Sequence, residues 1–280
     1  MENKKLQKKL LSIILGVIGL VLVYFIGRWL SGMLYGGSDD SPSSQFSANL
    51  DRQDVKAAMT EEEIAELFAG MRKSKYAEKE PENQDRLKGS DIIDFESLWE
   101  VNDDVYAWIT VPGTIIDYPI LQNDKDNSYY LNYNIDGSYG YPGCIYTEDL
   151  NTKDFMDSNT VIYGHNMKNG TMFSDLHKYA SKDFFDENRE VIIYMPDQIL
   201  YYEIFAAYVY DDRHLMYSFN FSDTNVYADY LEGIYDIRDM SANINREFSV
   251  SSEDKIITLA TCIANQDDKR FLVQAVLKEE

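Results

Sequence analysis

Cys262 ends the run Thr258-Leu259-Ala260-Thr261-Cys262, and Arg270 follows it eight residues later. A third piece, Tyr163-Gly164-His165-Asn166, stands far upstream. Ile256 to Cys262 and Phe271 to Leu277 are apolar and β-branched, which reads as two strands, and Ile263 to Lys269 between them has the polarity of a connecting loop. If the two runs pair as antiparallel neighbours, thiol and guanidinium share one edge of a sheet. His165 closes another strand-like run, Thr160 to Tyr163. A thiol nucleophile, an imidazole proton shuttle and a guanidinium donor for a developing oxyanion are the parts of an acyl-transfer site.

The chemistry needs a thiolate, stabilised by a neighbouring cation, and a protonated imidazole to serve the leaving amine. His165 is the favoured acid because Gly164 permits a close backbone approach, while Asn166, Lys168, Asn169 and Gly170 mark a loop mouth. His177, in a helical Leu-His-Lys-Tyr context, and His214, beside Asp211, Asp212 and Arg213, read as structural or solvated. Arg270 has a plainer alternative, a strand-start residue paired with Asp267 or Asp268. The only two cysteines are Cys144 and Cys262. An exported chain could join them, but a domain this long is stable from its core alone, so Cys144 reads as a buried thiol and Cys262 as the functional one. Glu148, Asp149, Asp154 and Asp157 offer oxygen ligands for Ca²⁺, yet lack EF-hand spacing and read as a solvated acidic loop. No metal and no cofactor is expected. The residues alone support an exported cysteine enzyme of acyl-transfer type.

Three regions position this constellation. Leu10 to Gly27 is apolar but for Ser12 and long enough to nearly cross a bilayer; Lys4, Lys5, Lys8 and Lys9 before it keep the amino terminus cytoplasmic. Residues 1–37 thus form a cytoplasmic tip and signal anchor, preferred over a cleaved signal peptide because the apolar run exceeds the usual h-region. Residues 38–91 form an extracellular spacer. Within it, Thr60 and Glu61 to Glu63 precede an Ile64, Leu67, Phe68, Met71 stripe that predicts a capped amphipathic helix, and Lys73 to Ser90 reads as exposed connection. Residues 92–280 carry about eight strand candidates, many too closely spaced for helical crossovers, with helices expected at Phe95–Asn102, Phe173–Tyr179 and within Asn225–Ser241. The fold class expected is mainly β, a closed antiparallel barrel of about eight strands with inserted helices. The whole chain carries −22, and residues 1–37 hold five basic residues and one acidic, so the remainder carries about −26. That excludes nucleic acid as a partner, since phosphate binding needs clustered cations.

The segment ending in Cys262, with Arg270 after it, resembles the sortase signature Thr-Leu-x-Thr-Cys followed by a strand opening on arginine. Tyr163-Gly164-His165-Asn166-Met167, continued by Asn169-Gly170-Thr171-Met172-Phe173, is similar to the class B histidine segment, as are Asn102 to Ile109, Asp117 to Ile120 and Tyr129 to Leu131. The resemblance spans roughly Phe95 to Leu277. The long stretch Asp211 to Asp254, with its helical centre, also resembles the class B insertion, whereas the lid motif of pilus-polymerising class C sortases does not occur. Cys144 departs from the family, standing where a small hydroxyl residue is common.

The resemblance implies a membrane-anchored cysteine transpeptidase of a Gram-positive cell surface. Cys262 attacks the Thr carbonyl of a carboxy-terminal sorting motif, His165 protonates the leaving amine and Arg270 holds substrate and oxyanion. The acyl group passes to an amine of a lipid-linked peptidoglycan precursor. The implied partners are sorting-motif-bearing surface proteins, that precursor and the cell membrane. Three other readings stay open on the sequence: a pilin-polymerising sortase, a hydrolytic thiol peptidase and a non-catalytic surface module.

Overall fold

The computed structural model describes residues 59–73 and 87–278. The expected anchor at Leu10 to Gly27 lies outside the described residues. Among those described, no helix is long and apolar enough to cross a membrane.

Helix α1 (Glu61–Gly70) begins with a reciprocal capping box: Thr60 Oγ1 accepts the Glu63 N–H, and the Glu63 carboxylate accepts the Thr60 N–H at 2.7 Å. Its apolar stripe packs on the barrel, where Phe68 meets Trp108 and Tyr118 edge-on with centroids 5.8 and 6.0 Å apart. Arg72, just past the helix, pairs with Asp117 on the barrel wall. The helix expected in the spacer is therefore docked rather than free. Ser90, expected in an exposed connection, belongs to the single turn α2 (Gly89–Ile92), which seats buried Gly89 on the backbone of Met195. Helix α3 (Phe95–Val101) is capped by the Asp94 carboxylate on the Ser97 N–H and buries Phe95 and Leu98.

Eight strands close the barrel: β1 (Val105–Thr110), β2 (Asp117–Leu121), β3 (Ile145–Thr147), β4 (Asn159–Tyr163), β5 (Glu190–Tyr194), β6 (Ile199–Asp211), β8 (Ile256–Ile263) and β9 (Gln266–Leu277). Their order β5-β1-β2-β3-β4-β8-β9-β6 returns to β5 through the β5–β6 pairing. The expectation of a wholly antiparallel barrel needs correction, because β2 pairs with β3 and β4 with β8 in parallel. In both cases a long connection intervenes, 122–144 and 164–255, which gives the chain room to return in the same direction. Helix α4 (Tyr129–Asn132) lies in the first. The second holds a 3₁₀ segment (Ser174–Ala180), α5 (Lys182–Glu187), β5, β6, and an insert of α6 (Leu215–Ser218), α7 (Thr224–Tyr235) and the two-residue strand β7 (Asn243–Ile244).

The pleat of β8 sorts its side chains between two cores. Ile257 and Leu259 enter the barrel lumen with Ile109, Ile162, Phe173 and Val273. Ile256 and Ala260 face outward, where α7 covers them with Tyr227, Tyr230, Leu231 and Ile234. Cys262 falls on the covered parity two residues beyond Ala260, yet its thiol side is exposed.

Candidate active site

The β8–β9 connection is shorter than the sequence suggested. The strands run to Ile263 and from Gln266, leaving Ala264 and Asn265 as the turn, with Asn265 at φ +60°. Asparagine tolerates that left-handed backbone, which lets a tight hairpin form. The expected loop is thus largely strand, its exposed polar residues extending the hairpin past the barrel. Cys262 and Arg270 are direct cross-strand partners. Their Cβ atoms therefore lie on one face at a spacing of about 5 Å. Arg270 is half-buried and not paired with an aspartate carboxylate; its Nη1 donates to the main-chain carbonyls of Asp267 and Lys269 at 2.9 and 2.8 Å.

On the other flank of β8 the parallel register sets Val161 opposite Thr258 and Tyr163 opposite Ala260. Two residues further, the same register leads to His165 and Cys262. Gly164 makes the approach possible: its N–H donates to the Ala260 carbonyl at 3.2 Å and its carbonyl accepts the Thr261 hydroxyl at 2.7 Å. A Cβ there would stand 2.5 Å from Ile145 Cδ1 and 2.7 Å from the Phe173 ring. The chain then turns away, closed by the Phe173 N–H on the His165 carbonyl at 2.9 Å. His165 Nε2 lies 2.7 Å from the Leu131 carbonyl, which can only accept, so this nitrogen donates to it and leaves Nδ1 as the ring nitrogen that can exchange a proton with substrate. The Tyr141 ring stands edge-on to the imidazole at 5.2 Å.

The register sets Cys262 and Arg270 side by side on β8 and β9, and His165 two residues past the end of β4 on the other flank of β8. A sortase-domain family model matches residues 109–278. The chain belongs to the sortase family. Sortase B of Listeria monocytogenes is 38% identical over 187 residues, covering 66% of this chain and 74% of that protein. Sortase B of Clostridium perfringens superposes with a TM-score of 0.59 at 32% identity, over 66% of this chain and 100% of the other. A Staphylococcus aureus sortase B–substrate complex gives 0.60 at 27% identity, over 70% and 88%. These relatives place it in class B, and its enzymatic type is that of a cysteine transpeptidase.

Other residues of this sortase reach the site, Asn166 from the histidine segment and two histidines that read in sequence as structural or solvated. Asn166 Nδ2 and His177 Nε2 both approach the main-chain carbonyl of Cys262, at 3.1 and 3.0 Å. His214, expected beside Asp211 to Arg213, instead meets Glu148 with its Nε2 at 2.7 Å from Oε2, and lies 3.5 Å from the Tyr163 hydroxyl. Tyr146 stacks on Tyr163 at 5.4 Å, and His214 tilts over Tyr217 at 4.4 Å, so an aromatic wall runs from the thiol to the insert. Burial pushes the Tyr146 phenol up, and the charges of Glu148 and Cys262 push it further. The rest of the acidic loop is spent on local donors: Asp149 on Asn127, Asp154 on Thr152 and Met156, Asp157 on Asn151 and Thr152. Cys144 is buried and free, its thiol 3.4 Å from the Tyr133 carbonyl, and burial pushes its pKa up.

Proposed function

We propose that this sortase cleaves a carboxy-terminal sorting motif of exported proteins after Thr and transfers the acyl group to an amine of a lipid-linked cell-wall precursor. The thiolate of Cys262 adds to the Thr carbonyl and expels the amine, which takes its proton from His165. The resulting thioester is opened by the acceptor amine, whose proton returns to the imidazole. Arg270 holds the oxyanion in both steps. The observation carrying this reading is the register that sets Cys262 opposite Arg270 and leads His165 to the same strand end. In the same proposal, residues 1–37 anchor the chain with its amino terminus inside, 38–91 space it from the membrane, and 92–280 form the extracellular catalytic barrel.

The test is mass spectrometry of the full chain in detergent with a panel of sorting-motif peptides, comparing wild type with Cys262→Ala. An adduct on Cys262, cleavage after Thr and transfer to an added amine are expected. Cleavage without transfer would instead mark a hydrolytic peptidase. No adduct across the panel would remove the assignments.

A further inference from the structure

Parallel strands exchange hydrogen bonds in a ladder that advances two residues at a time. Along β4 and β8 the last backbone rung is the Gly164 N–H on the Ala260 carbonyl. The next acceptor is the Cys262 carbonyl, and the next donor in the series is the Asn166 N–H. That backbone bond is not made: past Gly164 the chain leaves the β4 line and Asn166 pairs with Met172 in an isolated antiparallel bridge within the loop. Two side chains take its place: Asn166 Nδ2 at 3.1 Å and His177 Nε2 at 3.0 Å. A carbonyl only accepts, so the imidazole presents Nε2–H and the Asn166 amide presents its NH₂. The 3.1 Å between Asn166 Nδ2 and His177 Nε2 is then the approach of two donors sharing one oxygen. His177 is held for this task. Its ring lies over Phe271 at 5.1 Å, and its 3₁₀ segment is pinned by buried Leu176 and Tyr179.

We propose that His177 is a positioning residue for Cys262, acting with Asn166 through the Cys262 main-chain carbonyl. Cys262 has β9 on one side and no strand on the other, so without these donors its peptide plane is free to rock and the thiol direction with it. Water reaches this exposed carbonyl, so losing the clamp costs orientation more than stability. Orientation of reacting atoms enters the rate of the chemical step. The consequence for turnover rests on the transpeptidase reading; the clamp itself does not.

The test uses the full chain in detergent micelles with cysteine labelled at the ¹³C carbonyl. Only two signals arise, and Cys262→Ala identifies the one from Cys262. His177→Leu and Asn166→Ala each move that signal upfield, the double variant moves it further, and the Cys144 signal stays in place. His177→Gln, whose amide can donate to the same oxygen, restores the wild-type position. In turnover with a sorting-motif peptide and an amine, His177→Leu lowers kcat about five- to tenfold at unchanged KM, and His177→Gln recovers most of it. An unmoved Cys262 signal in both single variants, or an unchanged kcat in an active enzyme, overturns the proposal. If the wild type turns over no peptide while the signal moves as described, the clamp stands and the transpeptidase reading falls.

Discussion

Gly164→Ala tests whether close packing, rather than backbone freedom, fixes the residue before His165. Gly164 is not among the glycines of positive φ, so alanine can adopt its backbone. The conflict lies in space. The added methyl would stand 2.5 Å from Ile145 Cδ1 and 2.7 Å from two Phe173 ring carbons, where carbons prefer about 3.5–4.0 Å. Ile145 is 1% exposed and Phe173 fully buried, so neither side chain can swing into solvent. Overpacking of this kind costs about 1–3 kcal/mol, and the stiffer unfolded chain returns about 0.4–1 kcal/mol, leaving a net loss of about 1–2 kcal/mol. The strain falls on the loop whose closing bond is Phe173 N–H on the His165 carbonyl. A shift there of a sizeable fraction of an ångström lowers kcat about ten- to a hundredfold. Denaturant unfolding followed by tryptophan fluorescence gives the stability, and steady-state transfer gives kcat. Ile145→Val removes the methyl at 2.5 Å and restores at least about 0.5 kcal/mol in the double variant. A Gly164→Ala protein with the wild-type midpoint and kcat, or a double variant showing no recovery, refutes the packing argument.

Asp117 accepts from Arg72, Trp108 and Thr110; burial works to raise its pKa, but these bonds hold the carboxyl below its ordinary value. Its contribution is therefore present above the unfolded pKa and is lost as pH falls through the folded one. Asp117→Asn should cost about 1 kcal/mol at neutral pH, discounted for partial exposure, with the gap closing in urea titrations as pH falls below the ordinary carboxylate range. Gln274 is buried, donating to Tyr230 and Thr258 and accepting from Tyr208. Gln274→Leu takes one partner from each of the three hydroxyls, leaving Thr258 its bond to Asn159 and the two tyrosines only each other at 3.5 Å, and a loss of about 1–3 kcal/mol in the same assay is expected. Iodoacetamide on the native chain should add one label, at Cys262, because Cys144 is 5% exposed with a raised pKa; rapid double labelling would show an open core. Arg270→Lys keeps the charge but not the fork on two carbonyls, and kcat should fall about 10²–10³-fold while Cys262 labels at an unchanged rate.

What could be read from the sequence was whatever is local. The eight barrel strands appear as alternating runs, α1 through its cap and stripe, and the Cys262–Arg270 edge because a hairpin joins near neighbours. Strand direction was not legible, since alternation has no sense along the chain; hence the parallel β2–β3 and β4–β8 pairs came only with the structure. The two histidines read as structural or solvated illustrate the same limit. His177 reaches the Cys262 carbonyl across 85 residues, and His214 reaches Glu148 across 66, and nothing in their local sequences points to either partner.

The position of the site follows from a mismatch of lengths. On β8 the outward face carries Ile256, Ala260 and Cys262 in one pleated row, and α7 covers the first two. An exposed thiol on an otherwise buried row is what a nucleophile for a large peptide substrate needs: rigid below and open above. The register then sets Arg270 on one flank and leads on the other to His165, which the first turn of the loop after β4 holds through the Phe173 N–H on its carbonyl. Lengthening α7 by one turn at its covered end would extend the apolar lid toward Cys262. It would slow alkylation and transfer together while leaving the barrel intact, whereas equal rates before and after would mean that the cover does not set where the site opens.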